Sequence, residues 1–175
     1  MPGDPSAEIE AERLAARAAI ERAFATVTRG KRGMTIYDAE LADDYGLESE
    51  RSSRIRHLDY QRWQDIDGAV LDDFAVHSFF DPAGLHFHMP AYMVWTLDNY
   101  LTSGSLSTDW TIYALDPGAV DSQNYAWQLG RFAPFDPAQR KAVAGFLWFV
   151  GNHCEEWLDA TVAWQALERY WAEAL

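Results

Sequence analysis

Apolar residues recur at helical spacing through most of the chain. Ile9, Ala16, Ile20, Ala23, Phe24 and Val27 form one stripe and predict a helix over 6–27. Glu8, Glu10 and Glu12 at its start and Arg29 at its end suit the helix dipole. Thr35 with Asp38 resembles a capping box, predicting a helix to Tyr45 that stops at Gly46. Ser49 predicts a further helix to Gln61, and Asp67 one over 68–78 with Val70, Leu71 and Phe74 inward. In the aromatic-rich stretch 78–100, Asp81-Pro82-Ala83-Gly84 reads as a turn. Leu85, Phe87 and Met89 then alternate with His86 and His88, the period of a short strand. Pro90 suits the first position of a central helix carrying Met93, Leu97, Tyr100 and Leu101.

Asp109 opens a short helical turn over 110–115, closed by Asp116-Pro117-Gly118. Tyr125, Trp127 and Leu129 alternate with polar or small neighbours, predicting a second strand that pairs with 85–89. Asp136-Pro137 with Gln139 starts a buried helix that Gly151 ends, and Asn152 with Glu155 restarts the chain as a last helix to about residue 173. Trp157, Ala160, Trp164, Leu167 and Trp171 fall along that helix as a single seam. The pattern predicts a mostly α fold: one compact helical domain over 1–175, of six or seven helices, with at most a small two-stranded β element and a frayed start over 1–6.

Leu41-Ala42-Asp43-Asp44-Tyr45-Gly46, Trp63-Gln64-Asp65-Ile66, Thr111-Ile112-Tyr113-Ala114-Leu115 and above all the run from Phe80 to Met93 are distinctive. That run has the form F-D-P-x-G-x-x-F-x-x-P-A-Y-M. Together these segments resemble an uncharacterised bacterial family known as a domain of unknown function. The resemblance implies no activity, and it assigns no residue a role.

Charge sharpens the picture. The net charge is −13, and the span 63–130 holds nine aspartates and no Lys, Arg or Glu, so it supplies −9 of that total. Duplexes and anionic membranes attract clustered Lys and Arg, so nucleic acid and membrane binding are not expected. A basic partner is the natural complement. Twelve aromatic residues lie among those aspartates, and aromatics anchor interfaces. Arg51, Arg54, Arg56 and Arg62 make a basic face that could lie against the aspartates from within. Arg29-Gly30-Lys31-Arg32-Gly33 reads as a solvated turn after a helix. Hydrophobic content of 49% excludes a mainly disordered chain. A single cysteine, Cys154, and no apolar run of membrane-spanning length predict a cytoplasmic protein.

Catalytic signatures are sparse. A strand would place the His86 and His88 imidazoles on one face about 7 Å apart, a spacing that suits a metal. H-x-x-x-H, H-E-x-x-H, paired C-x-x-C, G-x-S-x-G, G-x-G-x-x-G and Walker patterns are all missing, so neither metal nor cofactor is expected. The reading that results is a non-catalytic acidic module that docks a basic protein, as an immunity protein neutralises a basic toxin or nuclease. Its candidate contacts are Asp43, Asp44, Asp65, Asp72, Asp73, Asp109, Trp110 and Asp116. Two other readings stand beside it. One is a metal-assisted hydrolase built on His86, His88 and carboxylates; the other is a homodimer through Trp157, Trp164 and Trp171.

Overall fold

The computed structural model describes residues 5–31 and 33–175, so most of the start expected to fray, and Arg32 of the basic turn, lie outside the described residues. Nine α-helices follow one another among these residues: α1 (Pro5–Ala23), α2 (Ile36–Asp43), α3 (Glu50–Ser53), α4 (Gly68–Asp73), α5 (Pro82–Asn99), α6 (Ser107–Tyr113), α7 (Tyr125–Phe132), α8 (Pro137–His153) and α9 (Ala160–Ala166). Helix α5 lies at the centre and meets α1, α4, α6 and α7, while α8 packs between α1 and α9. The only β feature among the described residues is an isolated bridge between Thr28 and Arg62.

Side-chain caps start α2, α4 and α8 where the sequence places them, and a cap also starts α5, where the sequence reads as a turn. Thr35 and Asp136 each close a capping box, with Asp38 and Gln139 as the reciprocal partners. Asp67 accepts from the Ala69 N–H and Asp81 from the Gly84 N–H. Gly46, at φ 81°, ends the α2 region in the left-handed conformation that glycine tolerates. Arg29 holds the following turn by donating to the Gly33 and Tyr60 carbonyls.

Both expected strands are helical. Asp81 and Pro82 begin α5 eight residues before Pro90, and the helix runs on through it. The alternation at 85–89 misleads because this part of α5 is buried on nearly every side: Leu85, Phe87, His88, Met89, Pro90, Ala91, Tyr92 and Met93 are all in the core. A helix buried all round shows no polar face, and five residues of it pass for a strand. Pro90 leaves the His86 carbonyl without its helical donor, a cost the surrounding burial offsets. Residues 125–132 form α7, where the Arg131 guanidinium lies 4.6 Å from the Trp127 ring one turn earlier.

Gly84 sits where the chain crowds the α5 cap. A Cβ there would lie 2.8 Å from Asp81 Oδ1, 3.1 Å from Phe80 and 3.2 Å from the Met34 Cβ. Gly84→Ala is therefore expected to displace the capping carboxylate, which also accepts from the Met34 N–H, and to cost about 1–2 kcal/mol in urea unfolding.

The predicted last helix is broken. Helix α8 continues through Gly151 to His153, a turn follows over 154–158, and Asp159 caps α9 by accepting from the Val162 N–H. Gly151 serves close packing here: a Cβ would meet the Trp164 indole at 2.8 Å, and that indole donates to the Gly151 carbonyl at 3.0 Å. Asn152 turns back to the Trp148 carbonyl within α8. A π turn over Leu167–Trp171 and a 3-10 turn over Ala172–Ala174 follow α9. The tryptophans thus form no seam: Trp171 is core, Trp157 sits in the turn edge-on to Tyr100, and Trp164 covers Gly151. The expected helix over 49–61 is also short, since α3 ends at Ser53 and Ile55 alone among its apolar residues is fully buried.

Candidate functional site

Two adjoining hollows lie beside the end of α4. The larger is a cleft of about 950 Å³ between α4, the end of α5 and the loop 102–106, with Asp72, Asp73, Trp95, Asn99 and Ser103 in its wall. The smaller, about 360 Å³, lies between α2, the turn His77–Phe79 and α6, and is lined by Glu40, Asp43, Phe79 and Trp110. Arg51, Ala75 and Leu106 border both. Arg51 is the one cation lining either among the described residues.

The local sequence explains this arrangement. Asp72 and Asp73 are the last two residues of α4, the end where the helix dipole disfavours carboxylates. The Asp72 carboxylate accepts from the Ser103 hydroxyl at 3.1 Å and its carbonyl from the Ser105 hydroxyl at 2.5 Å, while Asp73 offers its backbone carbonyl to Arg51. Neither carboxylate has a cation beside it among the described residues. Arg51 is fixed instead over the Phe74 ring, at 4.6 Å, with its Nε 3.2 Å from Glu40 Oε1. Glu40 is only 4% exposed. Burial pushes its carboxyl above the usual range; Arg51 opposes that shift, and Asp44 and Asp43 add to it.

The remaining predicted contacts scatter. Asp44 is half-buried just beyond α2, and Asp65 is exposed in the turn Trp63–Asp65, both outside the two hollows. Asp109 accepts from the Asp159 N–H at 3.0 Å. Asp116 is paired with Arg169 at 2.6 Å and accepts from the Gly118 N–H. The fold therefore gathers Asp43, Asp72, Asp73 and Trp110 from the predicted set. It adds Glu40 and Phe79, which sequence reasoning missed. One sign was available: Glu40 lies one turn after Ile36, on the side of α2 that faces the core. The basic face does not cover the aspartates, because Arg51 pairs with Glu40 and Arg56 with Glu48.

The histidines do not share a face. His86 meets Gln139 Oε1 at 2.8 Å, while His88 donates from Nδ1 to the Gly84 carbonyl at 2.8 Å and stacks on Phe80. No group of three or more His, Cys, Asp or Glu side chains is placed to hold a metal among the described residues. Burial pushes the Cys154 thiol up to about 12, far from a reactive thiolate. No helix among the described residues is long and apolar enough to cross a membrane.

Fold and site define an all-helical domain with an acidic, aromatic-edged double hollow. The chain belongs to the family of unknown function DUF6714, whose model matches residues 13–175. No curated protein and no solved structure matches it.

Proposed function

We propose that the double hollow docks a basic protein, the chain acting as a non-catalytic binding module of the kind that neutralises a basic toxin or nuclease. The observation carrying this reading is the pair Asp72 and Asp73. They stand at the helix end that disfavours carboxylates, neither carboxylate in an ion pair among the described residues, on the wall of an open cleft. Exposed apolar side chains at its edges, Leu106 and Trp110, supply the contact area that charge alone does not. Attraction between such a face and a cationic surface accelerates encounter and weakens with salt.

Reversing both charges separates this function from folding. Lysine at the C-terminal end of α4 suits the dipole, so Asp72→Lys/Asp73→Lys is expected to fold at least as stably as the parent. The immobilised parent is expected to retain basic proteins at low salt and release them at high salt, with association slowed roughly tenfold or more by the double reversal. Equal retention by both forms would remove the cleft from the interface.

A further inference from the structure

The smaller hollow carries more than general acidity. Glu40 lines it, almost fully buried, with Oε1 facing Arg51 Nε at 3.2 Å and Oε2 accepting no hydrogen bond among the described residues. A buried carboxylate left this way is costly, and additional donors are what it lacks. Arg51 is already placed: its guanidinium carbon lies over Phe74, its Nε faces Glu40 Oε1 and one terminal nitrogen is committed to the Asp73 carbonyl. Above Glu40 stand two half-exposed aromatics, Phe79 at 39% and Trp110 at 37%, and Asp43 lines the same space. The Trp110 indole N–H has no acceptor among the described residues.

We infer that this hollow is a socket for one arginine side chain of the basic partner, received by Glu40 and Asp43 between the Phe79 and Trp110 rings. Charge sets the sign: two carboxylates against Arg51 leave one negative charge, which a single cation cancels. Size sets the scale, since about 360 Å³ is near the lower end of ligand sites and suits one side chain rather than a folded segment. Ring walls set the choice of cation. A guanidinium is planar, stacks on aromatic faces, sheds water more readily than an ammonium and presents several donors to two carboxylates at once. The inference rests on the reading of this face as the one that takes a basic partner, and it names the group recognised.

The test follows the Trp110 indole N–H resonance by NMR, assigned by its loss in Trp110→Phe, in the full chain at moderate salt. Nα-acetyl-arginine methylamide is titrated beside its citrulline and lysine counterparts. The arginine compound is expected to move the resonance saturably, the lysine compound more weakly and the neutral citrulline compound not at all. Glu40→Gln is expected to weaken arginine binding about tenfold. Asp65→Asn, at an exposed carboxylate outside both hollows, is expected to keep it. Equal binding of citrulline, stronger binding of lysine, or no loss in Glu40→Gln overturns the socket. If Glu40→Gln loses its helical circular dichroism, Asp43→Asn poses the same question from the other carboxylate. A socket that fails while the charge reversal still slows partner capture leaves the docking reading standing. Capture that fails while arginine still binds does the reverse.

Discussion

Acidification from pH 6 to pH 4 is expected to remove about 5 kcal/mol from the free energy of unfolding. The cause is His77 and His88, both fully buried in the core, each pushed down to about 3 by burial. His77 is held by the Thr111 hydroxyl at 3.1 Å and lies against the Tyr92 ring, while His88 is clasped between Phe80 and the Gly84 carbonyl. Neither ring hydrogen-bonds a carboxylate: the pull of Asp38 on His88 is outweighed by burial, and Arg131 opposes a charge on His77. Unfolding releases each ring to its ordinary pKa of 6.5, so the unfolded chain takes up protons that the folded chain refuses. The stability is complete above pH 6.5 and drains away as pH falls toward 3. Glu40, whose carboxyl is raised, works in the opposite sense and offsets a small part. Urea unfolding at successive pH values is expected to lose about 2–3 kcal/mol per pH unit in this window, and His88→Gln to halve that slope. A flat profile between pH 6 and pH 4 would contradict the placement of both rings.

Trp171→Ala is expected to cost about 3–5 kcal/mol, lowering the melting temperature by about 10 °C. Trp171 is 1% exposed, with Phe132 at 4.8 Å, Tyr170 at 4.8 Å and Phe135 at 5.8 Å between ring centres. Its indole donates to the Leu115 carbonyl at 2.7 Å, tying the π turn to the end of α6. Trp171→Phe keeps most of the packing and strands that carbonyl, so about 1–3 kcal/mol is expected. Trp164→Ala, from a ring 40% exposed, is expected to cost less than Trp171→Ala. Thermal unfolding followed by circular dichroism ranks the three, and an alanine variant that melts with the parent would refute the packing around Trp171. A tryptophan so deep in its own protomer is also unavailable to a second copy.

Local signals in the sequence were read well and distant ones were not. Thr35, Asp67 and Asp136 announce helix starts because a cap is decided within three residues, whereas Asp81, which reads as a turn, opens α5. The period over 85–89 failed because a helix wrapped on all sides and a strand look alike at that length. Glycine was ambiguous in the same way: Gly46 ends a helix, whereas Gly151 lies inside one to admit an indole. The surplus of aspartate was plain, yet its partners were not. Asp98 meets Arg13 and Arg17 from α1, and Asp116 meets Arg169 beyond α9, pairings that only the tertiary fold decides. Glu40 was hidden for the same reason, since the aromatics above it come from residues 79 and 110.

The enclosure of α5 bears on how the chain must be handled and how it folds. Its first three turns have almost no side for water, so they are insoluble on their own and gain a reason to be helical only once α1, α6 and α7 surround them. Shortened forms that lack either flank would leave a bare hydrophobic rod and precipitate. The ends of the chain, 80 residues to either side, therefore have to arrive together for the middle to persist, and unfolding by any agent is expected as one all-or-none event.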